Sequence, residues 1–167
     1  RDPRNVITSL KNHFDFQDYN QASEFLFNEQ KWLIEKRKQD PLFAPTLISS
    51  WKTNYNSWKN TSQNLLIVKY EDLVSNPKYE FDKIINYLEK ILKTNFDKEK
   101  ISNALVSTSF EILKNREIKE GFIEGAKDKM GEGNKRFFNL GPENKWENLV
   151  NKTIVNEIEK IFEVEMK

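Results

Sequence analysis

The residues best suited to chemistry stand at the start of the chain. An Arg–Asp–Pro–Arg sequence runs from Arg1 to Arg4, and a hydroxyl follows at Ser9. A guanidinium offers a fork of donors that fits phosphate oxygens, and a hydroxyl adds one more donor. Pro3 predicts the first turn of a helix, whose N-terminus also favours an anion. We therefore interpret this corner as a candidate phosphate site.

Two further groups of side chains combine an aromatic ring with polar groups. Tyr70 comes just after a short apolar run at Leu65–Val68, and a Thr–Ser–Phe sequence spans Thr108, Ser109 and Phe110. An aromatic face with hydroxyls close by is a good surface for a purine ring. Each group taken alone is also typical of an ordinary packed core, so the pattern has weight only in combination.

A fourth group lies late in the chain. Asn139, Leu140 and Gly141 end a Phe–Phe–Asn–Leu–Gly sequence that precedes Trp146. All glycines lie between Gly121 and Gly141, so no Gly-rich phosphate loop with a following lysine stands before residue 121.

Hydrophobic periodicity predicts the elements that must carry these residues. Helices are expected from Pro3, over Ser23–Lys38, from Pro45, from Asn76-Pro77, over Ile101–Leu105 and over Ile154–Phe162. The apolar run at Leu65–Val68 is typical of a parallel strand buried on both faces. The stretch Gly121–Lys135 predicts a mobile loop. A strand flanked by helices on both sides indicates an α/β fold.

Composition narrows the possible partners. The 167 residues fit one domain, and a net charge of +1 attracts neither nucleic acid nor a membrane to the chain as a whole. No apolar run approaches the roughly 18–20 residues of a membrane span. The chain has no cysteine, which excludes disulfides and thiolate metal sites. We expect no nucleic-acid partner, no membrane segment and no metal.

In this order and spacing, the groups resemble the sulfotransferases that use 3′-phosphoadenylyl sulfate (PAPS), above all the cytosolic-type branch. The resemblance spans residues 1–167 but only the C-terminal portion of a single sulfotransferase domain. It implies a P-loop-like three-layer α/β fold around a parallel sheet, here without its N-terminal P-loop part. It also implies a cytoplasmic location and, as a partner, the missing N-terminal half of the domain.

The resemblance implies roles for individual residues. Arg1 and Ser9 match residues that hold the 3′-phosphate of the cofactor, and Tyr70 matches a tyrosine near the adenine. Phe14 is a candidate for the acceptor pocket, and Asn54 matches a family histidine that approaches the acceptor. The implied cofactor-binding residues are Arg1, Ser9, Tyr70, Thr108, Ser109, Phe110, Asn139, Leu140 and Gly141.

The chain departs from the family pattern at the phosphate. The family has arginine where this chain has Asn139, so one full charge is lost. We hypothesise that Lys135 or Arg136 swings in to compensate. Asn54 can hydrogen-bond a substrate, but it cannot act as the base that a histidine provides.

The implied reaction transfers a sulfuryl group from PAPS to a hydroxyl or amine of a small-molecule acceptor, without a metal. It leaves 3′-phosphoadenosine 5′-phosphate (PAP). The catalytic histidine and the lysine of the Gly-rich loop are expected upstream, so we assign no catalytic residue here. His13, Glu71 and Asp72 are interpreted as structural. The alternatives are a degenerate homologue that binds PAP or PAPS without turnover, and a helical interaction module.

Overall fold

The computed structural model describes residues 1–33, 45–61, 64–122 and 135–167. Its elements in chain order are α1 (Pro3–His13), α2 (Tyr19–Phe27), β1 (Trp32–Leu33), β2 (Thr46–Leu47), α3 (Trp51–Thr61), α4 (Tyr70–Ser75), α5 (Pro77–Leu92), α6 (Lys98–Ser107), α7 (Phe110–Glu120) and α8 (Lys152–Ile161). Two short 3₁₀ turns, Gly141–Glu143 and Trp146–Asn148, precede α8. No helix in these ranges is long and apolar enough to cross a membrane.

Local capping explains where the helices begin. The carboxylate of Asp2 accepts a hydrogen bond from the backbone N–H of Arg4 at 2.8 Å, and Pro3 occupies the first turn of α1. Asn76 caps α5 in the same way ahead of Pro77. A side-chain acceptor at the cap satisfies an N–H that the helix leaves unpaired. The helix starts predicted from both prolines are confirmed.

The helix predicted over Ser23–Lys38 is wrong in its C-terminal part. Helix α2 ends at Phe27, because the side-chain oxygen of Asn28 accepts a hydrogen bond from the N–H of Gln30 at 2.8 Å and forms a turn. The short strand β1 follows, and it pairs antiparallel with β2 so that Trp32 lies opposite Leu47. Residues 34–44 lie outside the described residues.

The third helix begins later than Pro45 predicts. It starts at Trp51, where the hydroxyl of Ser50 accepts a hydrogen bond from the N–H of Thr53 at 3.2 Å. Ser49 just before it has a positive φ of 58°, which a helix excludes. The sequence predicted one helix from Pro45 onward. In the structure, the turn at Ser49 separates β2 from α3.

The run Leu65–Val68 does not form the predicted parallel strand within the described ranges. It has no regular secondary structure and no strand partner there, and Leu65 and Ile67 are 37% and 46% exposed. The sheet in the described part of the chain is the antiparallel pair of β1 and β2. A strand needs a neighbour to satisfy its N–H and C=O groups, so an apolar run alone cannot make a sheet.

The apolar core lies where α1, α2 and α8 meet. Phe27 and Trp51 extend it by packing on the ring of Phe162, with ring centroids 5.6 Å and 5.1 Å apart. Burial of this cluster fixes the face of α1 that points inward and leaves its opposite face free for a site. The core residues are Ile7, Ala22, Leu26, Val150, Ile154, Val155, Ile158 and Phe162.

The predicted loop over Gly121–Lys135 falls mainly on residues 123–134, which lie outside the described residues. Helix α7 ends just before it, at Glu120, and Gly121 follows with a positive φ of 77°. The chain is described again from Lys135, directly ahead of the late group of predicted site residues.

Candidate functional site

A cavity of about 540 Å³ lies between α1, the start of α4, the start of α7 and the chain from Lys135 to Asn144. It collects predicted site residues that are far apart in the sequence. Those that line it are Arg1, Ser9, Tyr70, Phe110, Asn139, Leu140 and Gly141.

Arg1 is held on two sides within this cavity. Its Nη2 donates a hydrogen bond to the carbonyl oxygen of Gly141 at 3.2 Å. Its guanidinium lies over the ring of Tyr70, 4.2 Å from the centroid, in a cation–π contact. The Nε atom is buried and has no partner among the described residues. A buried donor left unpaired is costly, which makes a bound acceptor at this point favourable.

Gly141 cannot be replaced without strain. Its φ is +52°, a region that residues with a Cβ disfavour, and an added Cβ would lie 2.2 Å from Cε2 of Phe110. The ring of Phe110 therefore packs directly under the turn. This close approach sets the position of the carbonyl that receives Arg1.

The start of α1 does not offer a free helix N-terminus. The carboxylate of Asp2 already caps it, and the N–H of Asp2 donates to Oε1 of Glu71 at 2.9 Å. The expectation that this N-terminus helps to hold an anion is therefore wrong. Ser9 lies about two helical turns after Asp2. It is exposed, and its hydroxyl is 3.5 Å from the carbonyl oxygen of Asn5.

Two ion pairs of Arg4 hold this end of α1 in place. Arg4 contacts the carboxylates of Asp2 and Glu159, each at 2.6 Å, and lies over the ring of Trp146 at 4.4 Å. The hydrogen bond from Asp2 raises the pKa of Arg4 above its usual value, with Glu159 adding to the effect. Arg4 is thus committed to structure, whereas Arg1 faces the cavity.

The charges that line the cavity have one sign. Arg1, Lys135 and Arg136 line it, and its described lining contains no carboxylate. Lys135 is paired, since its Nζ contacts the carboxylate of Asp15 and donates to the carbonyl of Asn12 at 3.2 Å. The side chain of Arg136 is exposed and has no partner within the described ranges. Positive charges around a concave surface focus a positive potential, which attracts anions.

Glu117 anchors the late segment to α7, and the sequence analysis missed it. Its carboxylate accepts hydrogen bonds from the N–H groups of Phe137 and Phe138, at 2.6 Å and 2.9 Å. Arg136 is tied from the other side, because its carbonyl accepts from Nδ2 of Asn12 at 3.4 Å. A lone glutamate on a helix carries no sequence signal for such a role.

Asn144 was also missed. It is buried, and its side chain joins the turn to α1: Oδ1 accepts from the hydroxyl of Thr8 at 2.8 Å, and Nδ2 donates to the carbonyl of Asn5 at 3.1 Å. The side chain of Asn5 in turn accepts from the N–H of Trp146 at 3.2 Å. Asn5 thus accepts from Asn144 through its carbonyl and from Trp146 through its side chain.

Two predicted adenine residues lie outside the cavity lining. Thr108 and Ser109 stand at the junction of α6 and α7, where the hydroxyl of Thr108 donates to the carbonyl of Ala104 at 2.7 Å. Ser109 is the residue before α7 and makes no side-chain cap. Their role in binding stays a prediction.

The predicted acceptor residues also lie elsewhere. Phe14 packs between Phe16 and Phe25, at 5.6 Å and 4.7 Å between ring centroids. Asn54 is exposed on α3. His13, interpreted as structural, lines the cavity with its ring edge-on to Phe14. In the described part of the chain, no cluster of three or more histidines and carboxylates is placed to hold a metal ion.

Comparison with known proteins follows the same direction. The family model described as "Sulfotransferase domain" matches residues 1–167. Sulfotransferase 1B1 of Mus musculus is 28% identical over 119 residues, which cover 70% of this chain and 38% of the mouse protein. Sulfotransferase 1B1 of Canis lupus familiaris is 35% identical over 71 residues, or 41% of this chain and 23% of the dog protein. The matches thus span well under half of either relative, and no solved structure matches the chain.

Proposed function

Since this chain belongs to the sulfotransferase domain family, we propose that it carries the side of a PAPS site that holds the 3′-phosphate and the adenine. The family implies a P-loop-like α/β fold. The observation that carries the proposal is the cavity, where Arg1, Ser9, Tyr70 and Gly141 converge on a cationic surface. The other lining residues implied by the resemblance are Phe110, Asn139 and Leu140.

The anionic end of the ligand fits the donors that remain unused. Arg1 has a buried Nε without a described partner, and its guanidinium is already oriented by Tyr70 and Gly141. Ser9 exposes a hydroxyl to the same cavity, and Arg136 exposes a second guanidinium. Hydrogen bonds between a guanidinium and phosphate are short and about twice as strong as neutral ones. Arg1 and Ser9 would hold the 3′-phosphate, with Arg136 as an additional cation in the lining.

The base would lie against aromatic rings. Tyr70 and Phe110 both line the cavity, and Phe138 packs edge-on to Phe110 with centroids 6.3 Å apart. Flat apolar surfaces of this kind suit a purine. The hydroxyls of Thr108 and Ser109 are proposed for this pocket on the resemblance alone.

The chain's contribution to the reaction would be binding and positioning. Bound PAPS would supply the sulfuryl group, which passes to the hydroxyl or amine of an acceptor. Arg1 would hold the nucleotide so that the transferred group faces the acceptor. Phe14 and Asn54 are proposed for the acceptor pocket. The general base and the lysine of the Gly-rich loop are proposed in the N-terminal portion, so no residue of this chain is proposed to transfer a proton.

The same proposal makes residues 1–167 the C-terminal portion of one domain that an N-terminal portion completes. The exposure of Leu65 and Ile67 supports it, because an apolar run that has no strand partner among the described residues favours a neighbouring strand. Helices α5 to α7 also expose apolar residues, which include Leu88, Ile91, Leu92, Val106, Ile112 and Ile118.

A second candidate is nucleotide binding without turnover. It is favoured by Asn139, which lines the cavity at the position where the resemblance expects an arginine and brings no charge. A 3′-phosphate site with one cation fewer would bind PAPS less tightly, and a site of this kind could serve binding alone.

The experiment is calorimetric titration of the full-length protein with PAP and with AMP, which lacks the 3′-phosphate, followed by turnover assays. If PAP binds at least about tenfold more tightly than AMP, the result supports a site for the 3′-phosphate. Formation of PAP from PAPS, dependent on a hydroxyl or amine acceptor, would establish transfer. Tight PAP binding without turnover would favour the second candidate. No binding of PAP would reject both and favour a helical interaction module.

A further inference from the structure

Asn144 is a buried residue whose hydrogen bonds connect α1 to Arg1 through one carbonyl group. The backbone N–H of Asn144 donates to the carbonyl oxygen of Gly141 at 3.3 Å, and Nη2 of Arg1 donates to the same oxygen at 3.2 Å. The side chain of Asn144 is bonded to α1 through Thr8 and Asn5. We call the hydrogen-bonded set Asn5, Thr8 and Asn144 the asparagine latch.

We propose that Asn144 is a positioning residue that orients Arg1 and thereby sets the preference of the cavity for a nucleotide with a 3′-phosphate. This inference rests on the proposed function. Asn144 would not touch the phosphate. It would act through the Gly141 carbonyl, which is one of the two contacts that hold the guanidinium.

The geometry explains why one amide can control the guanidinium. Both ends of the Asn144 side chain are used, since Oδ1 accepts at 2.8 Å and Nδ2 donates at 3.1 Å. Truncation would remove both side-chain bonds between Asn144 and α1, while the hydroxyl of Thr8 kept its bond to the carbonyl of Asn5 at 2.8 Å. The turn would lose these two ties to the helix, which favours its movement. Arg1 would keep its stacking on Tyr70, but the planar group could then rotate about that face.

The other end of the turn is tied to the same helix. The N–H of Trp146 donates to Oδ1 of Asn5 at 3.2 Å. Because Gly141 packs against Phe110, the turn has little freedom on its opposite side. The latch therefore determines the distance between the turn and α1, the helix that also carries Ser9. Both proposed 3′-phosphate ligands would depend on that distance.

The test compares PAP with AMP in full-length variants by calorimetry. In Asn144→Ala we expect the ratio of AMP Kd to PAP Kd to fall by about tenfold, with AMP affinity changed less than about twofold. Thr8→Val removes the hydroxyl at nearly constant volume and is expected to lower the same ratio by a smaller factor. It serves as the second variant if Asn144→Ala does not fold. Asn148→Ala, at an exposed asparagine in the next turn, is the matched control and should leave the ratio unchanged.

Every outcome bears on the inference. An unchanged ratio in folded Asn144→Ala, or in Thr8→Val if the former does not fold, overturns it and leaves the proposed function intact. An equal loss of PAP and AMP affinity overturns it as well, because that is what a merely structural role produces. Absence of any PAP preference in the unaltered protein rejects the proposed function itself and the inference with it.

A double-mutant cycle adds an independent readout. If Asn144 acts through Arg1, then Asn144→Ala should lower PAP affinity strongly in the unaltered background and hardly at all in Arg1→Ala. Additive losses in the double variant would mean that Asn144 does not act through Arg1, and the inference would fail.

Discussion

Arg1 and Gly141 are joined by a hydrogen bond of 3.2 Å from Nη2 to the carbonyl oxygen, although 140 positions separate them in the chain. The bond brings the earliest and the latest groups of the sequence pattern into one cavity. Nε of the same guanidinium is buried and has no partner among the described residues, so it is a donor that a ligand oxygen could satisfy.

Arg1→Ala is expected to weaken PAP binding by about 10- to 100-fold, the loss of one charge-assisted contact. Calorimetry measures it. Arg1→Lys should recover only part of the affinity, because an ammonium lacks the planar fork that stacks on Tyr70. Arg116→Ala, at an exposed position of α7, is the charge-matched control. Equal PAP affinity for Arg1→Ala and Arg116→Ala would contradict the proposed contact between Arg1 and the 3′-phosphate.

Gly141→Ala is expected to lower stability more than Gly121→Ala does. Both glycines have positive φ, at +52° and +77°, but only Gly141 has a neighbour where the Cβ would stand. Backbone strain costs about 1–3 kcal/mol, and overpacking against Phe110 adds about 1–3 kcal/mol. Urea unfolding measures both variants. Phe110→Ala should cost less stability in the Gly141→Ala background than alone; additive costs would refute the steric account.

Arg136→Ala is expected to reduce PAP affinity severalfold at low salt and less at high salt, since an exposed charge is screened. Lys135→Ala should reduce it less, because Lys135 is already paired with Asp15. Lys145→Ala, exposed and outside the cavity lining, controls for net charge. If Arg136→Ala binds PAP as tightly as the unaltered protein, the idea that Arg136 compensates for Asn139 is abandoned.

Asn139→Arg is expected to raise PAP affinity about two- to tenfold by adding a cation to the cavity lining. AMP affinity should rise less if the new charge meets the 3′-phosphate. Asn148→Arg adds the same charge outside the cavity and should have little effect. A gain that is the same for PAP and AMP would argue against a 3′-phosphate at this place.

Thr53→Val should make the protein less stable at pH 7 but not in acid. Glu29 accepts hydrogen bonds from Thr53 at 2.5 Å, Ser50 at 2.9 Å and Ser49 at 3.0 Å. The bond from Thr53 is the largest cause that lowers the pKa of Glu29 below its usual 4.5. A lowered folded pKa gives stability that is complete above the unfolded pKa and disappears as pH falls through the folded one.

Urea unfolding at pH 7 and at about pH 2.5, below the usual carboxyl range, checks this dependence. The difference between Thr53→Val and the unaltered protein should shrink at the lower pH. Thr94→Val, at an exposed threonine after α5, is the control and should show no such dependence. A difference that stays constant with pH would mean that the hydroxyl of Thr53 stabilises through packing and not through the Glu29 carboxylate.

Short-range chemistry was predictable, and long-range pairing was not. Pro3 and Asn76-Pro77 identified helix starts because a cap bonds to a backbone group only two or three residues away. The interpretation of Leu65–Val68 as a paired strand went beyond that range, since a strand depends on a neighbour. Residue type and order were enough to propose Arg1 and Ser9 as ligands of the 3′-phosphate. No sequence pattern around Glu117 or Asn144 indicated their structural roles.

The sequence by itself determined which groups were available: a guanidinium at Arg1, a hydroxyl at Ser9, an aromatic ring at Tyr70 and a glycine at Gly141, in an order typical of the sulfotransferase family. Only the tertiary structure decided which donors were free, because pairing depends on distance in space. It paired Lys135 with a carboxylate and left Arg1 lining the cavity, with an Nε that has no partner in the described part of the chain. It also placed a buried amide, Asn144, where it bonds to α1 through its side chain and to the carbonyl of Gly141 through its backbone N–H.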